Sequence, residues 1–356
     1  MQGPVNHAVA CGQVSLRETG GQLPPPPRLQ RDRAFPPSLS ASSKSTDEAA
    51  PRPSRVPHLC FYSGNVVRRL YAPEAPASVI VDTLAEPNRL VQFEVHPTSR
   101  LLIAQLVQPG GPVENIALPV SPEAGLRLVI DRGSSGEYRM EAHLKHHAAD
   151  MLLQYSCNGA TSTAATAGRS QAVDGEHLLR EKMADPIAAA VGAYSILRIG
   201  DLARLHDWTA HLRERFAWLP DGAAIHGEHL ARMGRHEAAL DAFAQVPMRG
   251  LPFLSDGLFY AVERLKLYVS RTWKGKERVD ADRAKVVLDE LQPFATLMRR
   301  QRPISTYPGL DVAAPDTAPA SESFTSAQSR DLQTWFSPYA QNDETRPGSP
   351  AEAVGG

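Results

Sequence analysis

The stretch from His226 to Leu240 carries two fragments of the kind found in zinc-protease motifs, HGEH and HEAAL. His226 and His229 are three positions apart, so one helix would present both imidazoles on the same face. A zinc protease needs a second histidine four positions after the first and a further ligand, but Leu240 follows His236 at that place. The spacing favours packed or solvated histidines over a metal site. We therefore expect no metal and no cofactor, although His206, His211 and His236 remain an alternative ligand set.

Cys157 is the one candidate nucleophile, because three histidines precede it: His143, His146 and His147. A catalytic thiol needs a lowered pKa, an imidazole within hydrogen-bond reach and an oxyanion hole. The spacing supplies none of these, and ADMLLQYS before Cys157 is predicted to be a strand that this cysteine ends. We expect no catalytic residues. A thiol hydrolase that uses Cys157 with a nearby histidine stays as the alternative.

The charge balance favours no polyanionic partner. The formal net charge of the 356 residues is -1, and acidic neighbours offset the basic stretches at 270–278 and 298–302. Phosphate-binding glycine motifs are absent from the sequence. The chain lacks a basic leader and a long apolar run, so we expect a cytoplasmic protein that binds neither nucleic acid nor membrane.

A change of hydrophobic period divides the chain into five segments. We predict a disordered Pro- and Ser-rich arm at 1–57 and a disordered tail at 303–356. Residues 58–157 contain seven or eight short runs of period two, as in EYRMEAHL, which predict an antiparallel β-sandwich. Residues 158–183 are small and polar, as in a linker. Residues 184–302 change to helical spacing, so the fold class is a β-sandwich followed by an all-α domain of helical hairpins.

The helical segment has an internal offset of 34 residues, the distance from Gly200 to Gly234. At the same offset Ala193 aligns with Gly227. In the second unit Ala239 and Phe243 fall at the small and bulky positions of a closing helix. This pattern resembles the tetratricopeptide repeat, over residues 186–247. Close helix packing is sufficient to explain these residue types.

The tetratricopeptide resemblance implies a scaffold with a concave groove that binds a protein or peptide. By the family's pattern the groove would carry these partner-binding residues: Tyr194, Leu197, Arg198, Glu228, Ala231 and Arg232. In a short array the same residues are equally well explained as solvated or inter-repeat positions.

The phrases DPIAAAVGAYSILRIG (Asp185–Gly200) and LHDW (Leu205–Trp208) carry a broader resemblance. They are similar to the non-catalytic C-terminal part of modular bacterial proteins that carry caspase-like or trypsin-like peptidase domains. Neither phrase is a catalytic motif. The sequence thus predicts a non-enzymatic accessory module that binds a protein partner. A purely structural module of a larger protein is the third possibility.

Overall fold

Two antiparallel β-sheets and a following set of helices make up the computed structural model, which confirms the predicted fold class. The structure describes residues 58–74, 78–83, 91–96, 101–108, 111–120, 125–132, 137–157, 175–270, 279–316 and 330–331. The strands are β1 His58–Asn65, β2 Leu70–Pro73, β3 Ser78–Thr83, β4 Val91–His96, β5 Leu102–Val107, β6 Val113–Leu118, β7 Leu126–Arg132, β8 Tyr138–Leu144, β9 Thr306–Pro308 and β10 Arg330–Asp331. One sheet has the strand order β10-β1-β5-β6-β9, with β2 also paired to β1, and the other has the order β3-β4-β7-β8.

The alternation of EYRMEAHL appears directly in β8. Met140, Ala142 and Leu144 are buried, whereas Arg139 and Glu141 are exposed. This two-residue period follows from the pleat of a strand, which turns successive side chains to opposite faces. Buried side chains of the sheets and of the helices belong to one apolar cluster.

Capping residues set the bounds of the first long helix of the second half. The Asp185 side chain accepts hydrogen bonds from the backbone N–H groups of Ile187 and Ala188, both at 3.0 Å. Gly200 ends the helix with φ at 82°, a left-handed conformation that favours glycine. The helices are α1 His147–Cys157, α2 Gly175–Arg180, α3 Pro186–Ile199, α4 Trp208–Arg215, α5 Pro220–Arg232, α6 His236–Phe243, α7 Gln245–Arg249, α8 Ser255–Ser270 and α9 Ala281–Leu297, with a 3-10 turn at Leu202–Leu205.

Helices α5 and α6 form a close hairpin around Gly227 and Phe243. A Cβ atom placed on Gly227 would lie 2.7 Å from the Phe243 ring, and Gly234 turns the chain with φ at 78°. The packing roles predicted for these three residues are confirmed. The resemblance of the whole segment to a tetratricopeptide repeat is not confirmed. Helix α3 packs on the preceding α2, where a Cβ on Gly192 would meet the carbonyl oxygen of Gly175 at 2.5 Å.

Gly227→Ala should destabilise the protein by about 1–3 kcal/mol, because the added methyl group overpacks the hairpin. Helix propensity alone would give the opposite sign, since alanine is favoured over glycine by about 1 kcal/mol in a helix. Urea denaturation measures the change. In a Phe243→Leu background the same substitution should cost less, and an equal cost in both backgrounds would refute the steric explanation.

Two segments before the helical region differ from the prediction. ADMLLQYS lies in α1 and is not a strand, because Ala149, Leu152 and Leu153 follow helical spacing and are buried together. Residues 158–174 of the predicted linker lie outside the described residues. Its end is ordered as α2, whose Gly175 packs directly on α3.

The chain returns to the sandwich after α9, where the sequence predicts a disordered tail. Strand β9 pairs with β6, and Tyr307 in it is completely buried. The buried amides of Gln105 and Asn115 hold the following turn: Gln105 Nε2 donates to the Leu310 carbonyl at 2.9 Å and Asn115 Nδ2 to that of Gly309 at 2.7 Å. The described structure continues through residue 316, whereas most of 317–356 and all of 1–57 lie outside the described residues.

None of the described helices combines the length and the apolar character that a membrane crossing requires.

Candidate functional site

The two histidines of HGEH share a hydrogen-bonding partner inside the helical region. The Thr209 hydroxyl lies 3.0 Å from His226 Nδ1 and 2.9 Å from His229 Nδ1. Burial lowers the pKa of His226 to about 4 and also lowers the pKa of His229, so both rings are neutral at pH 7. Within the described ranges, no three His, Cys, Asp or Glu side chains converge as metal ligands would. The geometry gives these histidines a packing role.

The histidine of HEAAL also has a partner of a structural kind. His236 Nδ1 lies 3.3 Å from the Tyr268 hydroxyl, and the two rings meet edge to face with centroids 5.7 Å apart. Tyr268 is completely buried. His236 therefore connects the start of α6 to α8.

Cys157 ends helix α1 and not a strand. The helix begins at His147, ten residues earlier, which separates the two backbones by about 15 Å. His143 is engaged elsewhere: its Nδ1 lies 3.3 Å from Asp150 Oδ2, and this hydrogen bond raises the pKa of the histidine. The length of α1 thus keeps His147 away from Cys157, and His143 pairs with Asp150 instead.

The predicted partner-binding residues cluster in space, but most of them are enclosed. Helix α8 lies against α5 and covers the face on which the groove was expected. Two of the six residues, Arg198 and Arg232, keep part of their side chains exposed, at 30% and 24%. The other four are buried: Tyr194, Leu197, Glu228 and Ala231. In this arrangement those four serve the contact between helices.

Glu228 is the centre of an ionic network between α5 and α8. Its carboxylate is 1% exposed, and it accepts hydrogen bonds from Arg264 at 2.8 and 2.9 Å. It also accepts from Arg232 Nε at 2.6 Å, one helical turn away. Arg232 in turn donates to the Leu197 carbonyl and lies over the Tyr260 ring, 5.4 Å from its centroid. Charge-assisted hydrogen bonds of this kind are stronger than hydrogen bonds between neutral groups. Here they join α3, α5 and α8.

Asp221 forms a second buried connection, between the start of α5 and the loop before α8. Its carboxylate accepts from the Tyr194 hydroxyl at 3.0 Å and from the backbone N–H groups of Phe253 at 2.8 Å and Leu254 at 3.2 Å. Burial raises the pKa of Asp221 to about 7, against these hydrogen bonds, which lower it. Burial also raises the pKa of Tyr194, so its hydroxyl stays protonated and donates.

Asp221 should make folding stability depend on pH. An acid with a higher pKa in the folded than in the unfolded chain binds its proton more tightly when folded, so stability falls as pH rises from about 3.8 through about 7. Asp221→Asn removes this contribution. Between pH 5 and pH 8 the free energy of unfolding of the wild type, measured by urea denaturation, should fall by about 2–3 kcal/mol relative to that of the variant. Asp289→Asn, at an exposed position of α9, is the control. If the difference in stability between the wild type and Asp221→Asn stayed constant across pH, the assignment would be contradicted.

The end of α2, the 3-10 turn and the start of α4 form a cationic and aromatic surface, which we call the Trp208 surface. Its residues are Arg180, Lys182, Arg204, His206 and Trp208. Trp208 is half-buried, with the Arg180 guanidinium 5.6 Å and the Lys182 ammonium 5.5 Å from its ring centroid. The His206 ring is 4.8 Å away. In the sequence, Trp208 is singled out only as the last residue of the phrase LHDW. The signal that locates the surface is the phrase LHDW itself.

Glu176 of α2 organises the cations of this surface. Its carboxylate lies 3.3 Å from Arg180, 3.8 Å from His206 and 4.0 Å from Arg204. His206 has φ at 45° and ψ at -140°, a conformation that non-glycine residues rarely adopt. Strained backbone of this kind is retained where the surrounding structure enforces it, which happens often at binding sites.

Comparisons with known proteins give a similar protein and a matching family. A protein described as a probable protease from a Desulfuromonadales bacterium is 38% identical over 90 residues. The match covers 24% of this chain and 11% of that protein, so the chain spans only a small part of the relative's length. No solved structure matches the chain. The Y4kD C-terminal domain family matches residues 151–348, from α1 to beyond β10. The chain therefore belongs to the Y4kD C-terminal domain family.

Proposed function

We propose that this chain is a non-catalytic accessory module that binds a partner protein through its helical region. The Trp208 surface carries the proposal. Tryptophan and arginine are the residues that most often dominate binding energy at interfaces. Here the half-buried Trp208 ring has the Arg180 and Lys182 cations 5.6 and 5.5 Å from its centroid. Glu176 already pairs with Arg180, His206 and Arg204, so the Trp208 ring is the part of this surface that would anchor a partner.

The Trp208 surface takes the place of the predicted groove in this proposal. Four of the six groove residues would have to leave the helix interface before a partner reached them. Arg198 and Arg232 remain at the surface, but each already contacts an acidic group, Asp256 at 2.7 Å and Glu228 at 2.6 Å. They are better suited to holding α3, α5 and α8 together than to binding a partner.

The similar protein from the Desulfuromonadales bacterium suggests the class of the partner. That protein is described as a probable protease, and this chain corresponds to a small part of it. We propose a peptidase domain, or a substrate bound to one, as the partner. The thiol hydrolase alternative is less well supported, because the length of α1 separates His147 from Cys157 and His143 pairs with Asp150. A purely structural module would need no exposed aromatic surface.

The test is binding of the full chain to its partner. The immobilised protein is incubated with extract of its native host, captured proteins are identified by mass spectrometry, and the purified partner is titrated calorimetrically. We expect a protein with a peptidase domain. Trp208→Ala should weaken binding about 30-fold, the effect of losing about 2 kcal/mol at a hot spot.

Met233→Ala is the matched control, because Met233 is 55% exposed on the same helical region but lies outside the Trp208 surface. It should leave affinity unchanged. Trp208→Phe keeps an aromatic ring and separates a folding defect from a binding defect. Unchanged affinity in a folded Trp208→Ala variant would reject the surface, and capture of proteins without any peptidase link would reject the partner class.

A further inference from the structure

The short helix α4 begins at Trp208, and two of its eight residues are buried, Thr209 and Leu212. The side chain of Asp207, which precedes the helix, makes no capping hydrogen bond. A helix with few buried side chains and no cap opens at a lower cost than a well-packed one. The position of Trp208 therefore depends on the contacts that hold the two ends of α4.

The C-terminal end of α4 is held by an arginine of α7. Arg249 Nη1 donates to the carbonyl of Arg213 at 2.9 Å and to that of Phe216 at 3.4 Å. Its Nη2 donates to the Gln245 side chain at 2.6 Å. The last carbonyl groups of a helix have no partner inside the helix, so this side chain satisfies them. Because arginine stays protonated in proteins, acid leaves this end of α4 in place.

The N-terminal end of α4 is held by a hydroxyl between two imidazoles, and we call this the Thr209 contact: Thr209, His226 and His229. The Thr209 hydroxyl lies 3.0 Å from Nδ1 of His226 and 2.9 Å from Nδ1 of His229, both on α5. A hydroxyl has one proton, so it can donate to only one of two neutral rings. The other ring must carry its proton on Nδ1 and donate to the hydroxyl oxygen. The two histidines therefore have opposite tautomers.

Positive charge is disfavoured at the Thr209 contact. Burial, and after it the charges of Arg213, His229 and Arg235, lower the pKa of His226 from 6.5 to about 4. Arg213 belongs to α4, and Arg235 lies between α5 and α6. Burial and Arg235 also lower the pKa of His229. An added proton would in addition direct two N–H groups at the Thr209 oxygen and leave the hydroxyl proton without an imidazole acceptor.

Acid should therefore open the Thr209 contact. A histidine whose pKa is lower in the closed than in the open contact binds its proton more tightly when the contact is open. The contact is thus most stable above pH 6.5 and weakens as the pH falls from 6.5 towards 4. For His226 alone, the equilibrium constant for opening should be about 30-fold larger at pH 5 than at pH 8, and His229 adds to this change.

We propose that the Thr209 contact is an acid-sensitive switch, which holds α4 on α5 at neutral pH and releases the start of α4, with Trp208, in acid. The C-terminal end stays on Arg249, so the helix moves as a hinge. As a regulator of partner binding, the switch rests on the function proposed for the Trp208 surface. The movement of α4 does not, and its test requires no partner.

The experiment follows the fluorescence of Trp208 alone. The full chain carries Trp218→Phe, Trp273→Phe and Trp335→Phe. It also carries His206→Gln, because the His206 ring lies 4.8 Å from the Trp208 ring and would itself alter the fluorescence on protonation. Acrylamide quenching is measured from pH 8 to pH 4.5, with far-UV circular dichroism at each pH. We expect the quenching constant to rise at least about twofold between pH 6.5 and pH 5 while the far-UV signal is retained.

Two variants connect this rise to the histidines. The double variant His226→Gln with His229→Gln has amides that do not titrate but can still donate to Thr209 and accept from it. It should remove the rise in quenching. His211→Gln, at an exposed position of α4, is the matched control and should keep the rise. The switch is rejected if quenching stays constant down to pH 4.5, if the double variant keeps the rise, or if the far-UV signal is lost together with it.

Histidine NMR tests the Thr209 contact in the chain without substitutions. In ¹⁵N-labelled protein at pH 8, one of His226 and His229 should carry its proton on Nδ1 and the other on Nε2. The two rings are assigned from the signals that each single glutamine variant loses. Finding both rings in the same tautomer would overturn the proposal, even if the double variant did not fold.

Discussion

Tyr307→Ala should destabilise the protein by about 3–5 kcal/mol, the usual cost of truncating a fully buried aromatic side chain. Tyr307 is completely buried, and its ring meets Phe294 of α9 edge to face with centroids 5.2 Å apart. Its hydroxyl donates to the Val312 carbonyl at 2.7 Å. The substitution therefore removes a contact between the returning segment, α9 and the sandwich. Chemical denaturation of the full chain measures it.

Tyr307→Phe is the matched control, because it keeps the ring and loses only the hydroxyl bond. It should cost about 1–2 kcal/mol, since the Val312 carbonyl is left without its buried donor. A loss below about 1 kcal/mol for Tyr307→Ala would mean that the returning segment is not part of the cooperative core. The same result would restore the prediction of a disordered tail from residue 303.

Glu228→Ala has the second large expected effect, a loss of about 3 kcal/mol in the free energy of unfolding. Removing one partner of a buried ion pair costs about 3–5 kcal/mol, because the remaining charge stays without compensation. Arg232 and Arg264 are 24% and 29% exposed, which lets water solvate them in part and places the effect at the lower end. Urea denaturation at low and high salt measures the loss.

The control for Glu228→Ala is a double-mutant cycle with Arg264→Met. If the carboxylate acts through this arginine, the two substitutions together should cost less than the sum of the separate costs. Asp241→Ala, which removes the partner of exposed Arg283, should change stability by less than about 1 kcal/mol. Equal losses from Asp241→Ala and Glu228→Ala would show that burial does not strengthen the Glu228 network.

Local patterns were sufficient to predict most individual elements. Asp185 followed by Pro186 marks where α3 begins, and Gly200 marks where it ends, because caps act within a few residues of the chain. The alternation in β8 predicted which of its residues are buried. Gly227 and Phe243 predicted the close α5–α6 hairpin for the same reason: the two residues are only 16 positions apart and lie on facing helices.

Placement of the site depended on contacts between distant parts of the chain. Glu228 meets Arg264 across 36 positions, and Tyr194 meets Asp221 across 27. No local spacing encodes either contact, so the partner-binding face predicted from the repeat pattern was found under α8. The Trp208 surface likewise depends on a contact between two segments, since Arg180 and Lys182 lie more than 25 positions before Trp208.

The sequence by itself determined the fold class, the two ends of α3 and the residues that permit close helix packing, because periodicity and capping are properties of neighbouring residues. It also carried the likeness to the non-catalytic part of peptidase-bearing proteins. Only the tertiary structure decided that ADMLLQYS is helical, that residues 303–316 return to the sandwich and that α8 covers the expected groove. Each of these depends on which apolar and charged surfaces meet, and burial by a distant segment outweighs the local preference.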